Sequence, residues 1–355
     1  MSELQDQSYL GVFTEISGHP VRPWARYSEP KPQCVTCSVR TICEGCRHED
    51  GCDWCFCDGN GCSTCGTKCR SHEEREAWQA DVGSFDLWVD LRGQRTISLP
   101  RYIPAVKPRE KMRGSLPAWT YTIAVSDLIR ADGSPREVAY RVREFFPEGT
   151  QLILNFFCED HYLERIWRVG PEFFEGQWLN QFDALIGVNY SLYADDSSFE
   201  IMHSLRRSYM SSQEIYDAGH TLIPLLSYVT EKQLAEQLEV LGASSLNTVC
   251  VNMQVVEGEK AAYQRRNVEM MAHIAAMTDW RVLAYGIARA DVIEELSAIF
   301  GQRLVIANSD PYFRAMRRHK GQRGPVFSDG IRRYLQLADQ EQDKKQTQEV
   351  SNAGS

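Results

Sequence analysis

The chain has 355 residues, of which 43% are apolar and 25% charged, and a formal net charge of -9. That length holds one large domain or two ordinary ones, and the composition is globular, neither disordered nor fibrous. The acidic balance argues against a surface that coats nucleic acid nonspecifically, while leaving room for a local basic face.

The opening "MSELQDQSYLGVFTEISGHP" lacks a basic segment followed by an apolar run, and no stretch approaches the roughly eighteen apolar residues of a membrane span. The expectation is a cytoplasmic protein with no membrane partner. Residues 1–33 read as an N-terminal extension, and residues 34–75 as a cysteine-rich metal-binding segment with ten of the twelve cysteines. Cys34 and Cys37, Cys43 and Cys46, Cys52 and Cys55, and Cys62 and Cys65 make four CxxC pairs, with Cys57 and Cys69 left over. Two intervening residues let both thiolates of a pair reach one ion from a tight turn, so two pairs complete a tetrahedral shell and four pairs suggest two zinc sites. With Cys57 and Cys69, His48 and His72 could build a third site or replace a thiolate; otherwise they are ordinary exposed histidines. An iron-sulfur cluster is the alternative, because "CSTCGTKC" has compatible spacing. A disulfide framework is disfavoured in a compartment that keeps thiols reduced. The segment has too few apolar residues for a core, so metal binding would supply its folding energy.

Beyond it, short apolar runs alternate with longer amphipathic stretches. The runs predicted as strands are 85–91 (FDLWVDL), 120–126 (TYTIAVS), 151–157 (QLILNFF), 184–190 (ALIGVNY), 221–227 (TLIPLLS), 247–253 (NTVCVNM), 281–287 (RVLAYGI) and 303–309 (RLVIANS). Strands that read as continuous apolar runs are buried on both faces, which implies a parallel sheet covered by helices. Eight of them predict an α/β protein with a (β/α)8 TIM-like barrel over residues 80–335; an open doubly wound sheet is the alternative.

The connecting stretches carry helix punctuation. Thr230 and Gln233 have capping-box spacing, with Leu234, Leu238 and Leu241 on one face and Gly242 at the end. Asp291 is placed to cap a helix that Gly301 terminates. Residues 92–119 hold four prolines and no helical period, so a long stiff loop is expected after the first strand. Residues 336–355 are polar without an apolar period and read as a disordered tail.

Two basic stretches stand out. Residues 101–113 carry five Lys or Arg, including Arg101, Lys107 and Arg109, against one acid; residues 303–333 carry eight, including Arg314, Arg317 and Arg318, against two. They are candidates for a nucleic-acid-binding rim, DNA or tRNA, or else solvated surface.

Ligands of parallel α/β folds bind at the C-terminal ends of the strands. Those positions hold Asp90, Asp127, Asp160, Asn189, Tyr193, Asp195, Asp196, Tyr228, Asn252, Gln254, Arg289, Asp310 and Tyr312. Amides and acids that read edges, with aromatics that stack, suit a planar nucleobase. No GxxxxGK[ST] or GxGxxG phosphate loop is present. Each acid has a plainer alternative, since Asp127, Asp160 and Asp310 could cap the helices that follow, with Pro311 in the favoured first position. Cys158 and Cys250 read as buried small hydrophobes.

The last two units, with "AYGIA" (residues 284–288) and "NSDPYF" (residues 308–313), resemble the end of the barrel in tRNA-guanine transglycosylases and their deazaguanine DNA-modifying relatives. The likeness covers about the last third; the family's Ser-Gly-Gly-Phe-Gln-like and Gly-Gly-Leu motifs are absent, and its zinc ligands lie after the catalytic Asp. The resemblance implies a base-exchanging glycosyltransferase, a pentosyltransferase acting on nucleic acid, with Asp310 as nucleophile and Asp127 or Asp160 as acid-base partner. Residues 187–228 also resemble an uncharacterised family of phage and mobile-element proteins, which implies as the alternative a noncatalytic zinc-bearing module that binds nucleic acid or protein. An iron-sulfur enzyme is the further alternative.

Overall fold

The computed structural model describes residues 77–78, 80–193, 198–244, 246–254 and 260–353. The ten clustered cysteines, with His48, His72, Asp195 and Asp196, lie outside the described residues. The chain divides into two compact units, 1–86 with 191–207 and 87–190 with 208–355. In the first, Trp78 stacks on His203 with ring centres 4.3 Å apart, and Phe85 meets Phe199 at 5.1 Å.

Among the described residues of the second unit the strands are β1 (Tyr102–Pro104), β2 (Thr120–Ala124), β3 (Gln151–Asn155), β4 (Ala184–Ile186), β5 (Leu222–Ile223), β6 (Leu225–Leu226), β7 (Thr248–Asn252), β8 (Arg281–Tyr285) and β9 (Leu304–Asn308). They form two sheets, β1-β9-β8-β7-β6 and β2-β3-β4-β5. Every pairing is parallel. Parallel neighbours need crossovers, and the longer helices supply them. These are α1 (Asp160–Val169) and α2 (Pro171–Phe174) after β3, α3 (Ser198–Asp217) after β4, α4 (Glu231–Gly242) after β6, α5 (Lys260–Met277) after β7 and α6 (Ala290–Phe300) after β8. α7 (Asp310–Arg317) and α8 (Arg323–Ala353) follow β9.

Side chains alternate along each strand, and both sets are buried. Tyr121, Ile123, Leu152, Leu154, Val282, Ala284, Leu304 and Ile306 belong to one core together with helix residues. Ile103, Ala105, Ile153, Ala184, Ile186, Ile223, Leu225, Cys250, Leu283, Val305 and Ala307 form a second, which draws on both sheets. Burial on both faces is why the runs read as continuously apolar, and each enclosed Leu or Ile contributes about 2 kcal/mol of transfer free energy.

The capping box at Thr230 and Gln233 is formed, and Gly301 ends α6 at φ +54°. Asp291 is not the cap of α6: Arg289 holds that position and pairs with Asp291 in the first turn.

The first strand is not where the alternating run predicts it. Residues 85–91 are extended without strand pairing, and β1 lies inside the proline-bearing stretch expected to be a long loop. The run 85–91 carries Asp86 and Asp90 among its apolar residues and leaves Trp88 exposed, and only Val89 and Leu91 of its second-unit residues are buried. The expected tail is helical as far as Ala353. Phe327, Ile331, Tyr334, Leu337 and Ala338 repeat at helical spacing and are buried, which anchors α8 in the core.

Candidate active site

The strand face that builds the second core can be followed to the C-terminal ends. Ala105 lies in that core and pairs with Thr122 in a parallel bridge, so Lys107, two residues on, continues that face alongside the end of β2. Asn155 follows Ile153 in the same way, Asn252 follows Cys250, and Tyr285 follows Leu283. Asn252 and Tyr285 are register partners. Polar side chains thus replace apolar ones at one end of the strands.

After β2 a single 3-10 turn, Val125–Asp127, stops the strand and presents Asp127. Lys107 Nζ donates to Asp127 Oδ1 at 2.8 Å, with the lysine 38% and the aspartate 17% exposed. Asn155 is fully buried; its Nδ2 donates to Thr122 Oγ1 at 2.8 Å and lies 3.5 Å from the Tyr285 hydroxyl. The Phe157 ring sits 4.3 Å from that of Tyr285. Burial raises the Tyr285 phenol above its ordinary range, with Cys250 adding, the Asn155 hydrogen bond opposing and Asp127 adding least. Tyr312 is also buried and raised, chiefly by desolvation, with Arg109 opposing and Asp127 adding to the shift. Both phenols therefore stay protonated at neutral pH and keep an O–H donor. The Tyr312 hydroxyl has no partner among the described residues.

A glycine shapes this end. Gly286 follows β8 at φ +93°, and a Cβ there would lie 2.3 Å from Gln254 Cγ and 3.1 Å from Gln254 N. The close approach seats residues 252–254 against β8, where Met253 N–H donates to Tyr285 O at 2.7 Å.

The other candidates are distributed differently. Asp90 faces Arg92, whose guanidinium holds its carboxyl down to about 2. Asp160 opens α1, where Glu159 is the cap residue. Asn189 accepts from Ser227 Oγ at 3.4 Å, and the Tyr228 hydroxyl is buried. Tyr193 is 52% exposed and belongs to the first compact unit. Gln254 is exposed, and Arg289 is committed to Asp291.

Asp310 is the first residue of α7. Its carboxylate accepts from Arg314 Nε at 2.8 Å and from the Tyr334 hydroxyl at 3.1 Å. Tyr334 stacks on Tyr102, whose hydroxyl donates to Asn308 Oδ1 at 2.9 Å. Asp310 thus ties the end of β9 to α8. Replacing it with Asn should lower stability by about 1 kcal/mol through the weakened charge-assisted bonds, while leaving any turnover intact. Thermal melts beside a turnover assay check this, and an inactive but fully stable variant would favour Asp310 as nucleophile.

Of the basic residues, Arg101 departs from the expected rim. It precedes β1, at the opposite end of the strands, and donates to Leu304 O at 3.0 Å and to Ala338 O at 2.5 Å. The others converge. Arg323 Nη1 donates to Lys111 O at 2.9 Å, joining the two basic stretches beside Arg109 and α7. Arg109, Lys111, Arg317, Arg318 and Lys320 are exposed, and none pairs with a carboxylate among the described residues. Arg314 is held by Asp310.

Sequence reasoning missed Asn155, Tyr285, Thr122 and Phe157. The signal for the first two was present, a polar group at the end of an otherwise apolar run. Among the described residues no group of three or more His, Cys, Asp or Glu is placed to hold a metal ion, and no helix is long and apolar enough to cross a membrane. Compared with known proteins, the chain matches no family model and no curated protein.

Proposed function

We propose that the two sheets are arcs of one eight-stranded (β/α) barrel and that its mouth exchanges or removes a base on nucleic acid. Three observations support closure. The Ala105–Thr122 bridge and the 2.9 Å bond from Val106 N–H to Thr122 O join β1 to β2. Pro224 interrupts one extended run, whose first half pairs with β4 and whose second half pairs with β7. The inner core takes residues from both sheets.

The single observation that carries the function is the 2.8 Å Asp127–Lys107 pair at the C-terminal strand ends, where Asn252 and Tyr285 are register partners. Breaking a glycosidic bond builds positive charge at the anomeric carbon, which a carboxylate stabilises, while the departing base needs a proton or a strong hydrogen bond. Asp127 takes the first role, held in place by Lys107. Tyr312 and Tyr285 take the second, and Asn155 and Asn252 read the edge of the base. Asp310 anchors α7.

The basic residues joined by Arg323 and Lys111 guide the phosphate backbone to this mouth. The cysteine-rich segment is assigned zinc, held by the CxxC pairs, with a folding role. Elemental analysis of anaerobically purified protein should find at least two zinc ions per chain; iron with acid-labile sulfide would move the assignment to an iron-sulfur enzyme.

The test of the whole reading is incorporation of labelled purine bases into, or base release from, DNA and tRNA by the full-length protein. Turnover is expected on one of them. Tight binding without exchange or release would favour the noncatalytic zinc-bearing module.

A further inference from the structure

The basic rim contains one aromatic side chain that packing does not require. Phe313 is 44% exposed on α7, although Tyr312 beside it is almost completely buried. Residues four apart on a helix share a face, so Phe313 stands next to Arg317, also exposed. Arg314, Arg318, His319 and Lys320 surround this face in sequence, and all are exposed. Arg109 and Lys111 approach from the loop after β1, where the Arg109 charge is felt at the Tyr312 hydroxyl and Arg323 holds the loop by Lys111 O. An exposed ring among cations, of which Arg314 alone has a carboxylate partner among the described residues, is poorly explained by folding: it buries little, and the unpaired cations repel one another.

The chemistry that satisfies both features is an unpaired nucleotide strand. Phosphates neutralise the cations, and any base presents a face to the ring, whereas paired bases in a duplex keep their faces stacked on each other. We infer that α7 and the loop after β1 form a track for single-stranded nucleic acid, with Phe313 stacking on a base next to the one that enters the mouth. The inference deepens the proposed function and rests on its placement of the mouth. It adds that the substrate is recognised single-stranded, or with its strand locally opened.

The experiment uses fluorescence anisotropy of the full-length protein with a labelled single strand of about twelve nucleotides, and with the matching duplex. The wild type should prefer the single strand. Phe313→Ala should weaken single-strand binding about ten-fold, while Phe313→Trp restores it and neither changes the dependence on salt. Joint replacement of Arg317 and Arg318 by Ala should instead flatten the salt dependence by up to about two phosphate contacts. Unchanged affinity for Phe313→Ala, or equal loss on duplex and single strand, would overturn the track, as would a wild type that binds neither. Base release by Asp127→Asn is scored separately. Loss of release with normal Phe313→Ala binding removes the track and leaves the mouth, whereas retained release with impaired Phe313→Ala binding removes the mouth assignment and leaves the binding track.

Discussion

Asp127→Asn should lose roughly a thousand-fold or more in turnover while folding normally, since carboxylate participation of this kind typically supplies two to four orders of magnitude. The substitution keeps the size of the side chain and its ability to accept from Lys107, and removes only the charge that would face the anomeric carbon. Stability should change by less than about 1 kcal/mol, because the pair is partly solvated and Lys107, 38% exposed, can return to water. The discriminating result is the separation of the two readouts, with kcat falling and melting temperature held. Asp127→Glu should recover part of the activity by restoring the charge at a displaced position. If Asp127→Asn were as active as wild type, the reacting carboxylate would have to be sought elsewhere, with Asp160 and Asp310 the next candidates.

Gly286→Ala should be the most damaging small substitution at the site. At φ +93° an alanine is strained by about 1–2 kcal/mol, and its methyl group must displace Gln254, whose backbone nitrogen is 3.1 Å from the ideal Cβ. Together with overpacking of about 1–3 kcal/mol, the expected loss of stability is about 2–5 kcal/mol. Because residues 252–254 would move with it, affinity for a ligand read by Asn252 should also fall. Denaturant unfolding gives the first quantity and ligand titration the second. A variant as stable as wild type would mean that the turn after β8 relaxes freely and does not hold Asn252 in place.

How far the sequence carries the fold can be judged at particular elements. The runs at 120–126, 151–157, 247–253, 281–287 and 303–309 each contain a strand, because burial on both faces leaves an uninterrupted apolar signature. That signature fails at β1. With only three residues and Pro104 as its last, it is too short for any periodicity to register. Its place is set by long-range partners, Ile306 to Asn308 of β9. The helix continuing through residues 336–353 was missed for a related reason: it begins on the apolar repeat ending at Ala338 and extends through residues of good helix propensity without an apolar stripe.

The candidate positions were legible in the sequence but not their pairings. Reading past the strands picked out Asp127, Asn252 and Tyr312 as candidates. It could not show that Lys107 faces Asp127 while Asp310 turns to Tyr334 and Arg314. Those partners lie 20 and 24 residues away for the first two contacts, and the choice depends on strand register and helix packing. The same limit explains Arg101, which composition grouped with Lys107 and Arg109 but which register sets at the opposite strand ends.

A nucleobase is expected to enter at the C-terminal ends of the strands, beside Asp127. Ultraviolet crosslinking of the full-length protein to a single strand containing 5-iodouracil, followed by peptide mass mapping, tests it most directly. Adducts are expected on the peptides carrying Phe157, Tyr285 or Tyr312. Adducts confined to residues 34–75, or to the opposite strand ends around Gln94 and Thr248, would contradict it.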